Sequence, residues 1–163
     1  MRLPRTIRLD RSDASVFDRA AEPGEWAVTG SFAFVDLPPE ALTGKRRQAF
    51  HHGWLGTLSF GWSTLVMVSD ASPDAVHAAT EALADHFVRH LGAPGRDAAH
   101  EVAAQEVAFA ASLCDHPVGT LLTLYRQHGP EGIVEQFATV TREADAPSGV
   151  DLLALAARRE DAP

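Results

Sequence analysis

The sequence predicts an α+β fold, in which a mostly antiparallel sheet carries two longer helices packed on one face. Two amphipathic segments with helical periodicity, at about 73–91 and 97–114, follow each other directly. Segments typical of strands lie on both sides of this pair, and the last two flank the turn "HGPE" as a C-terminal β-hairpin. This order fits neither a strict alternation of strands and helices nor a chain of strands alone.

The N-terminal part of the chain predicts three strands and one short helix. Residues 5–10 alternate polar and apolar side chains, and residues 25–37 are rich in strand-forming types. Residues 43–53 have helical spacing of their apolar side chains. The run "STLVMVS" at 63–69 is typical of a buried strand.

The boundaries of the two long helices can be predicted from single residues. Ser72 is a suitable N-cap, and Pro73 has the fixed φ that suits the first helical position. The segment "GAPG" at 92–95 separates the two helices, and the second is expected to end near Cys114.

The length of 163 residues is enough for one domain with its own core. We expect a single globular domain over 1–145 and a flexible tail over 146–163 with at most a short amphipathic helix. No run approaches the ~18 apolar residues that cross a bilayer, and residues 1–10 lack the apolar core of a signal peptide. A single cysteine agrees with a reducing compartment. We therefore expect a soluble, cytoplasmic protein without membrane contacts.

The charge is unevenly distributed along the chain. Residues 1–60 carry 8 Lys and Arg against 7 Asp and Glu, whereas residues 61–163 carry 6 against 15. Nucleic acid is therefore not an expected partner, because phosphate contacts need a basic surface. The one basic cluster is Lys45, Arg46 and Arg47, which is either a solvated helix face or a docking site for an acidic partner.

Glu106 is the most informative residue of the second long helix. At about 100° per residue, Val102 and Phe109 fall on one side of it and Ala110 on the other, which predicts that Glu106 faces the core. A core-facing carboxylate must be paired or protonated. It is either a ligand or general acid/base, or a structural carboxylate that accepts hydrogen bonds.

Two histidines of the first long helix are candidate metal ligands. His86 and His90 are four residues apart and share a helix face, which is the spacing of helical zinc-binding pairs. In an antiparallel hairpin closing near residue 94, Glu106 would lie about 6 Å along the axis from His86 and about 10 Å from His90. A metal site formed by these three residues is therefore strained.

The aromatic, glycine-rich stretch "FHHGWLGTLSFGW" offers a different candidate site. Trp54 and Trp62 would supply apolar area to a ligand pocket and His51 a polar tip. The alternative is a set of core aromatics with glycines in turns. The glycines lack the spacing of a phosphate loop, and the chain has no nucleophile elbow or paired-cysteine motif, so no cofactor is implied.

The segment "SLCDHPVGT" contains the lone cysteine, Cys114, followed by Asp115 and His116. A helix C-terminus and a neighbouring aspartate both disfavour a thiolate. Pro117 then prevents helical geometry at His116. This pattern predicts a helix end rather than a nucleophile, with metal binding as the alternative.

Two stretches resemble a known family. "GWSTLVMV" at 61–68 and "EVAFAASLCDHPVGTLLTLYR" at 106–126 resemble a bacterial family of small proteins of unknown function, over most of residues 5–142. The resemblance implies a single intact domain. It implies no activity, cofactor or catalytic residue.

These observations favour a non-enzymatic accessory or interaction protein, which binds a protein partner or associates with itself as a homodimer. The alternative is a small-molecule or metal-binding protein, or an enzyme, that uses Glu106 and nearby histidines. A thiol enzyme based on Cys114 is a third hypothesis.

Overall fold

A computed structural model of the protein describes residues 1–8 and 12–140. The strands are short except in the C-terminal hairpin, and two of the four α-helices are long. The elements are β1 (Arg2–Ile7), α1 (Ser12–Val16), β2 (Ala27–Val28), α2 (Gly44–His52), β3 (Trp54–Gly56), β4 (Trp62–Ser63), β5 (Leu65–Asp70), α3 (Pro73–His90), α4 (Arg96–Ser112), β6 (Leu121–Gly129) and β7 (Gly132–Val140).

Four strands form the main sheet in the order β1-β5-β6-β7, and three short strands form a second sheet in the order β2-β3-β4. Every neighbouring pair in both sheets is antiparallel. The hairpin of β6 and β7 is the longest ladder, from Leu121 opposite Val140 to Gly129 opposite Gly132. The predicted α+β class, antiparallel sheet and C-terminal hairpin are confirmed.

The two long helices begin as the sequence predicts. The Ser72 side chain accepts a hydrogen bond from the Ala75 amide, and Pro73 is the first residue of α3. Arg96, at the start of α4, lies 2.6 Å from Glu81 and 2.8 Å from Asp85 of α3. These contacts hold the two helices side by side and set their relative level.

The predicted strand at 25–37 is mostly absent. Only Ala27–Val28 is extended, and the chain then forms 3-10 turns at Ser31–Phe34 and Pro39–Ala41. Gly30 has a φ of 86°, a left-handed conformation that ends the strand. A Cβ at Gly30 would lie 2.9 Å from the Trp62 ring, so the missing side chain also gives the indole its space.

The main sheet has two faces with different neighbours. On its inner face, Val66, Val68, Leu122 and Leu124 form one core cluster with Trp54 of β3 and with Cys114, just beyond α4. The outer face carries the neighbouring residues of the same strands, including Leu65 and Leu121.

The predicted tail, 146–163, and the last residues of the predicted domain lie outside the described residues. Within the described part of the chain, no helix has the length and apolar character needed to cross a lipid bilayer.

Candidate functional site

Arg126 of β6 is the most completely bonded side chain in the structure. It is fully buried, and its five N–H groups have five acceptors. Its Nε lies 3.1 Å from the carboxylate of Glu135, which is its direct neighbour on β7. The other acceptors are the carbonyls of Phe50 (2.7 Å), Thr29 (2.7 Å), Gly53 (3.1 Å) and Ala49 (3.3 Å).

Three of these carbonyls belong to the end of α2, where the helix leaves backbone acceptors unsatisfied. A cation at a helix C-terminus also interacts favourably with the helix dipole. Burial lowers the pKa of Arg126, and the carboxylate of Glu135 opposes that shift. Arg126 is therefore a structural residue that fixes α2 against the hairpin.

His51 and His52, at the end of α2, form hydrogen bonds with the edge of β6 that β5 leaves unpaired. β5 pairs with β6 only at Leu121 and Leu122, so the carbonyls further along β6 need other partners. The Nδ1 of His51 lies 2.8 Å from the Arg126 carbonyl, and His52 bonds the backbone of Leu124.

Both histidine rings also contact Tyr125, with centroid distances of 5.4 Å for His51 and 5.5 Å for His52. Burial, with the nearby His51 as a smaller cause, lowers the pKa of His52 to about 4. His52 is therefore neutral at physiological pH. It donates a hydrogen bond to β6 where β5 no longer pairs with that strand.

Glu25 is the buried structural carboxylate that the sequence did not reveal. It is 5% exposed, and it accepts hydrogen bonds from the amides of Glu22, Leu58 and Ser59 and from the Ser59 hydroxyl. These bonds, of 2.5–2.9 Å, shape the loop between β3 and β4. At Gly56 a Cβ would lie 2.5 Å from Glu25, so the carboxylate occupies the space that glycine leaves.

The prediction that Glu106 faces the core is wrong. The buried face of α4 is formed by Ala99, Ala103, Val107 and Ala110, whose centre lies about 60° around the helix from Glu106. The helix packs through small side chains, which allow a close approach to its neighbours. Glu106 is half-buried at the edge of this face, and burial and then the charge of Glu135 raise its pKa.

The structure does not bring together the three residues of the predicted metal site. Glu81 and Asp85 contact Arg96, which places His86 level with about residue 95 and about 16 Å along the axis from Glu106. His86 stacks on Phe60 at 3.9 Å, and its ring centroid lies 5.0 Å from that of His90. The described residues contain no group of three or more His, Cys, Asp or Glu that could hold a metal ion.

Trp54, Trp62 and His51 have separate surroundings instead of a shared pocket. Trp54 is fully buried in the core cluster beneath the main sheet, and its indole nitrogen has no hydrogen-bond partner in the part of the chain that the structure describes. Trp62 packs on Phe34 with a centroid distance of 5.1 Å. Both tryptophans match the alternative interpretation, core aromatics beside turn glycines.

The basic residues Lys45, Arg46 and Arg47 are exposed on α2. Arg47 also donates a long hydrogen bond of 3.5 Å to Nε2 of His51. Cys114 is buried just after α4, and burial raises the pKa of its thiol to about 11. The thiol is therefore protonated at physiological pH.

A shallow groove of about 420 Å³ lies beside the start of α3. Val76 and Thr80 form part of its wall, and His77 and His100 stand at its sides. It is separate from Glu106 and from the tryptophans.

The outer flank of α4 forms an apolar surface, which we call the α4 surface: Val102, Glu106 and Phe109 of α4 together with Phe137 of β7. Val102 is 45% exposed and Phe109 is 42% exposed. The rings of Phe109 and Phe137 meet edge to face at 6.0 Å. Residues 102, 106 and 109 have helical spacing, so the carboxylate lies between the two apolar side chains.

The fold and these sites define a class of small α+β domain in which buried charged groups such as Arg126 and Glu25 serve its own architecture. The chain belongs to a family of unknown function, DUF6505, whose model matches residues 1–161. The expected membership in a family of unknown function is thereby confirmed. No curated protein and no solved structure matches the chain.

Proposed function

We propose that this protein is an accessory protein that binds another protein through the α4 surface, without catalysing a reaction. The observation that carries the proposal is the pair of large exposed apolar side chains, Val102 and Phe109, on either side of Glu106. Contiguous exposed apolar area that is rimmed by polar groups is typical of protein-binding surfaces.

The composition of α4 strengthens this inference. The helix buries alanines and one valine while its largest apolar side chains face solvent. Folding alone would favour the opposite arrangement, because burial of a large apolar side chain stabilises by roughly 1.5–3 kcal/mol. Phenylalanine is also among the residue types enriched in interfaces.

Glu106 specifies the chemistry of the partner. Half-burial and the like charge of Glu135 both disfavour the ionised form of Glu106. The carboxylate of Glu135 is itself already paired with Arg126. A lysine or arginine flanked by apolar side chains would fit between Val102 and Phe109 and restore the balance of charge. We therefore propose an apolar partner segment that carries one basic residue.

The basic cluster Lys45, Arg46 and Arg47 offers a second contact with the same partner. All three residues are exposed near the start of α2. Their charge suits an acidic segment, and rim charges of this kind increase the rate of association more than the affinity.

A fluorescent peptide with one arginine between leucines tests the proposal, with the same peptide carrying glutamate for arginine as its control. We expect the arginine peptide to bind, and Phe109→Glu and Glu106→Lys to weaken binding at least about tenfold. Val88→Glu changes an apolar side chain of α3 that is 40% exposed, and it should leave binding unchanged.

Equal binding of both peptides, or equal effects of Phe109→Glu and Val88→Glu, would overturn the proposed partner. Sedimentation velocity on the free protein tests whether the α4 surface binds a second copy of this chain instead of a different protein. A dimer that Phe109→Glu abolishes and Val88→Glu keeps would identify a second copy of this chain as the partner and contradict the basic segment.

A further inference from the structure

The groove beside the start of α3 lies at the seam between the two long helices. Its α3 wall consists of residues at helical spacing in the first two turns, Pro73, Val76, His77 and Thr80. His100 and Ala104, one turn apart on α4, form the opposite wall. The volume of about 420 Å³ lies within the range of small-molecule sites, which often lie between packed helices.

The polar groups of the groove are few. At one end, Met1 and Ala71 are joined by a backbone hydrogen bond of 2.8 Å and add apolar lining. The Thr80 hydroxyl donates a hydrogen bond of 2.8 Å to the Val76 carbonyl, one turn earlier, so its proton is already used. The donors left for a ligand are therefore the imidazoles of the two histidines.

A charged network holds the imidazole of His100. Its Nε2 lies 3.1 Å from Oε1 of Glu81, and Oε2 of the same carboxylate lies 2.6 Å from Arg96. The hydrogen bond from Arg96 lowers the pKa of Glu81 most, and the nearby His100 and His77 lower it further. Both imidazoles are therefore close to a carboxylate whose two oxygens are already occupied.

The charge of the lining selects the kind of ligand. Among the described residues that line the groove there is no aspartate, glutamate, lysine or arginine. The two imidazoles are the side chains there that can become charged, and they can only become positive. An acidic group would accept hydrogen bonds from them, and an apolar chain would replace water over Val76 and Ala104.

We propose that this groove binds a small carboxylic acid with a short apolar chain. The carboxylate accepts hydrogen bonds from His77 and His100, and the chain lies along Val76 and Ala104. This site is independent of the proposed function, because the groove and the α4 surface share no residue.

Binding of the acid involves a proton. Nε2 of His100 faces Glu81, so Nδ1 can donate to a ligand only when the ring is protonated. The charged groups near the ring are Glu81 of α3 and, bonded to it, Arg96 of α4, while Met1 and Ala71 have no ionisable side chain. The affinity for a carboxylate should therefore increase as the pH falls from about 8 to about 6.

Titration of the full chain with hexanoate, followed by NMR, tests the proposal. Hexylamine has the same apolar chain with the opposite charge and is the matched control ligand. We expect saturable shifts at His77, Thr80 and His100, with a dissociation constant of about 1 mM at a pH of about 6. Hexylamine should bind at least about tenfold more weakly, and hexanoate about threefold more weakly at a pH of about 8.

Two alanines of α4 provide matched variants. Ala104 and Ala108 are both exposed and one turn apart, and Ala104 lines the groove whereas Ala108 does not. Ala104→Asp places a second carboxylate in the groove and should weaken hexanoate binding at least about tenfold. Ala108→Asp should change it less than about twofold.

The histidines provide a second comparison. His77→Gln should weaken hexanoate binding at least about threefold, because it removes the charge that attracts the ligand. His90→Gln changes an exposed histidine at the other end of α3 and should leave the affinity unchanged.

Any of three results would overturn the proposal. These are no saturable shift up to about 50 mM hexanoate, equal affinity for hexanoate and hexylamine, or equal losses in Ala104→Asp and Ala108→Asp. An affinity independent of pH would contradict the role of the imidazoles. Saturable shifts centred on Lys45, Arg46 and Arg47 would place the anion at the basic cluster instead.

Discussion

The guanidinium of Arg126 lies 3.1 Å from the carboxylate of Glu135, which faces it directly across the β6–β7 ladder. The same guanidinium donates to the end of α2 and to Thr29, just after β2. One buried side chain thereby joins the hairpin, a helix and the short sheet. Among the described residues its charge has a single carboxylate partner, so the backbone carbonyls carry much of its stabilisation.

Replacement of Arg126 by lysine should destabilise the protein strongly. Lysine keeps the charge but offers three donors on one atom, so it cannot reach acceptors that are spread around the edge of the planar guanidinium. We expect a loss of about 3–5 kcal/mol in the free energy of unfolding, measured by urea denaturation. Arg46→Lys, at an exposed position of α2, should change it by less than about 0.5 kcal/mol. Similar losses in both variants would refute the structural role of Arg126.

His52 should make stability depend on pH between about 6.5 and 4. Its pKa is about 4 in the folded protein and 6.5 in the unfolded chain, so only the unfolded chain binds the proton in this window. The contribution of His52 is complete above pH 6.5 and is lost as the pH falls toward 4. With partial exposure of the ring, we expect a loss on the order of 2 kcal/mol.

The measurement is the difference in free energy of unfolding between pH 7 and pH 4.5. In His52→Gln this difference should shrink, because the side chain no longer titrates, while the exposed His77→Gln should leave it near the wild-type value. An identical pH dependence in wild type and His52→Gln would exclude His52 as its source.

Glu25→Gln should loosen the β3–β4 loop. Each carboxylate oxygen of Glu25 accepts at least two hydrogen bonds, and glutamine would turn an NH₂ group toward two of those donors. We expect a loss of about 2–4 kcal/mol in the free energy of unfolding. Faster amide exchange at Leu58 and Ser59 should accompany it. Glu22→Gln changes an exposed side chain nearby and serves as the control; an effect as large as that of Glu25→Gln would disprove this assignment.

Periodicity was enough to predict the helices and the hairpin, because each is specified by neighbours within a few residues. It failed for α4, where Val102 and Phe109 suggested a core face that the alanines actually form. A helix wheel ranks side chains by apolar size, whereas close helix packing selects small ones. That error placed Glu106 in the core.

The burial of Arg126 and Glu25 was missed for a different reason. Arg126 follows Leu122 and Leu124 at alternate positions of β6, so the strand pattern did hold a signal that it points inward. Its four carbonyl acceptors, however, lie more than 70 residues away in the chain. Glu25 likewise depends on Leu58 and Ser59, more than 30 residues away. Such partners become visible only when the chain is folded.

The hydrogen bonds of His51 and His52 to the backbone of β6 limit which further strands can pair with the main sheet. The edge of β1 that faces away from β5 is covered by residues 22–26, through backbone hydrogen bonds between Thr6 and both Gly24 and Glu25. β6 is closed beyond Leu122 by His51 and His52, so among the described strands of the main sheet only β7 has a full edge without a neighbouring strand. A sheet with one free edge can join one other strand edge and then has none left. Through the described strands of the main sheet, edge-to-edge association therefore ends at a closed pair, and a run-on fibre through them would require His51 and His52 or the segment beside β1 to move away.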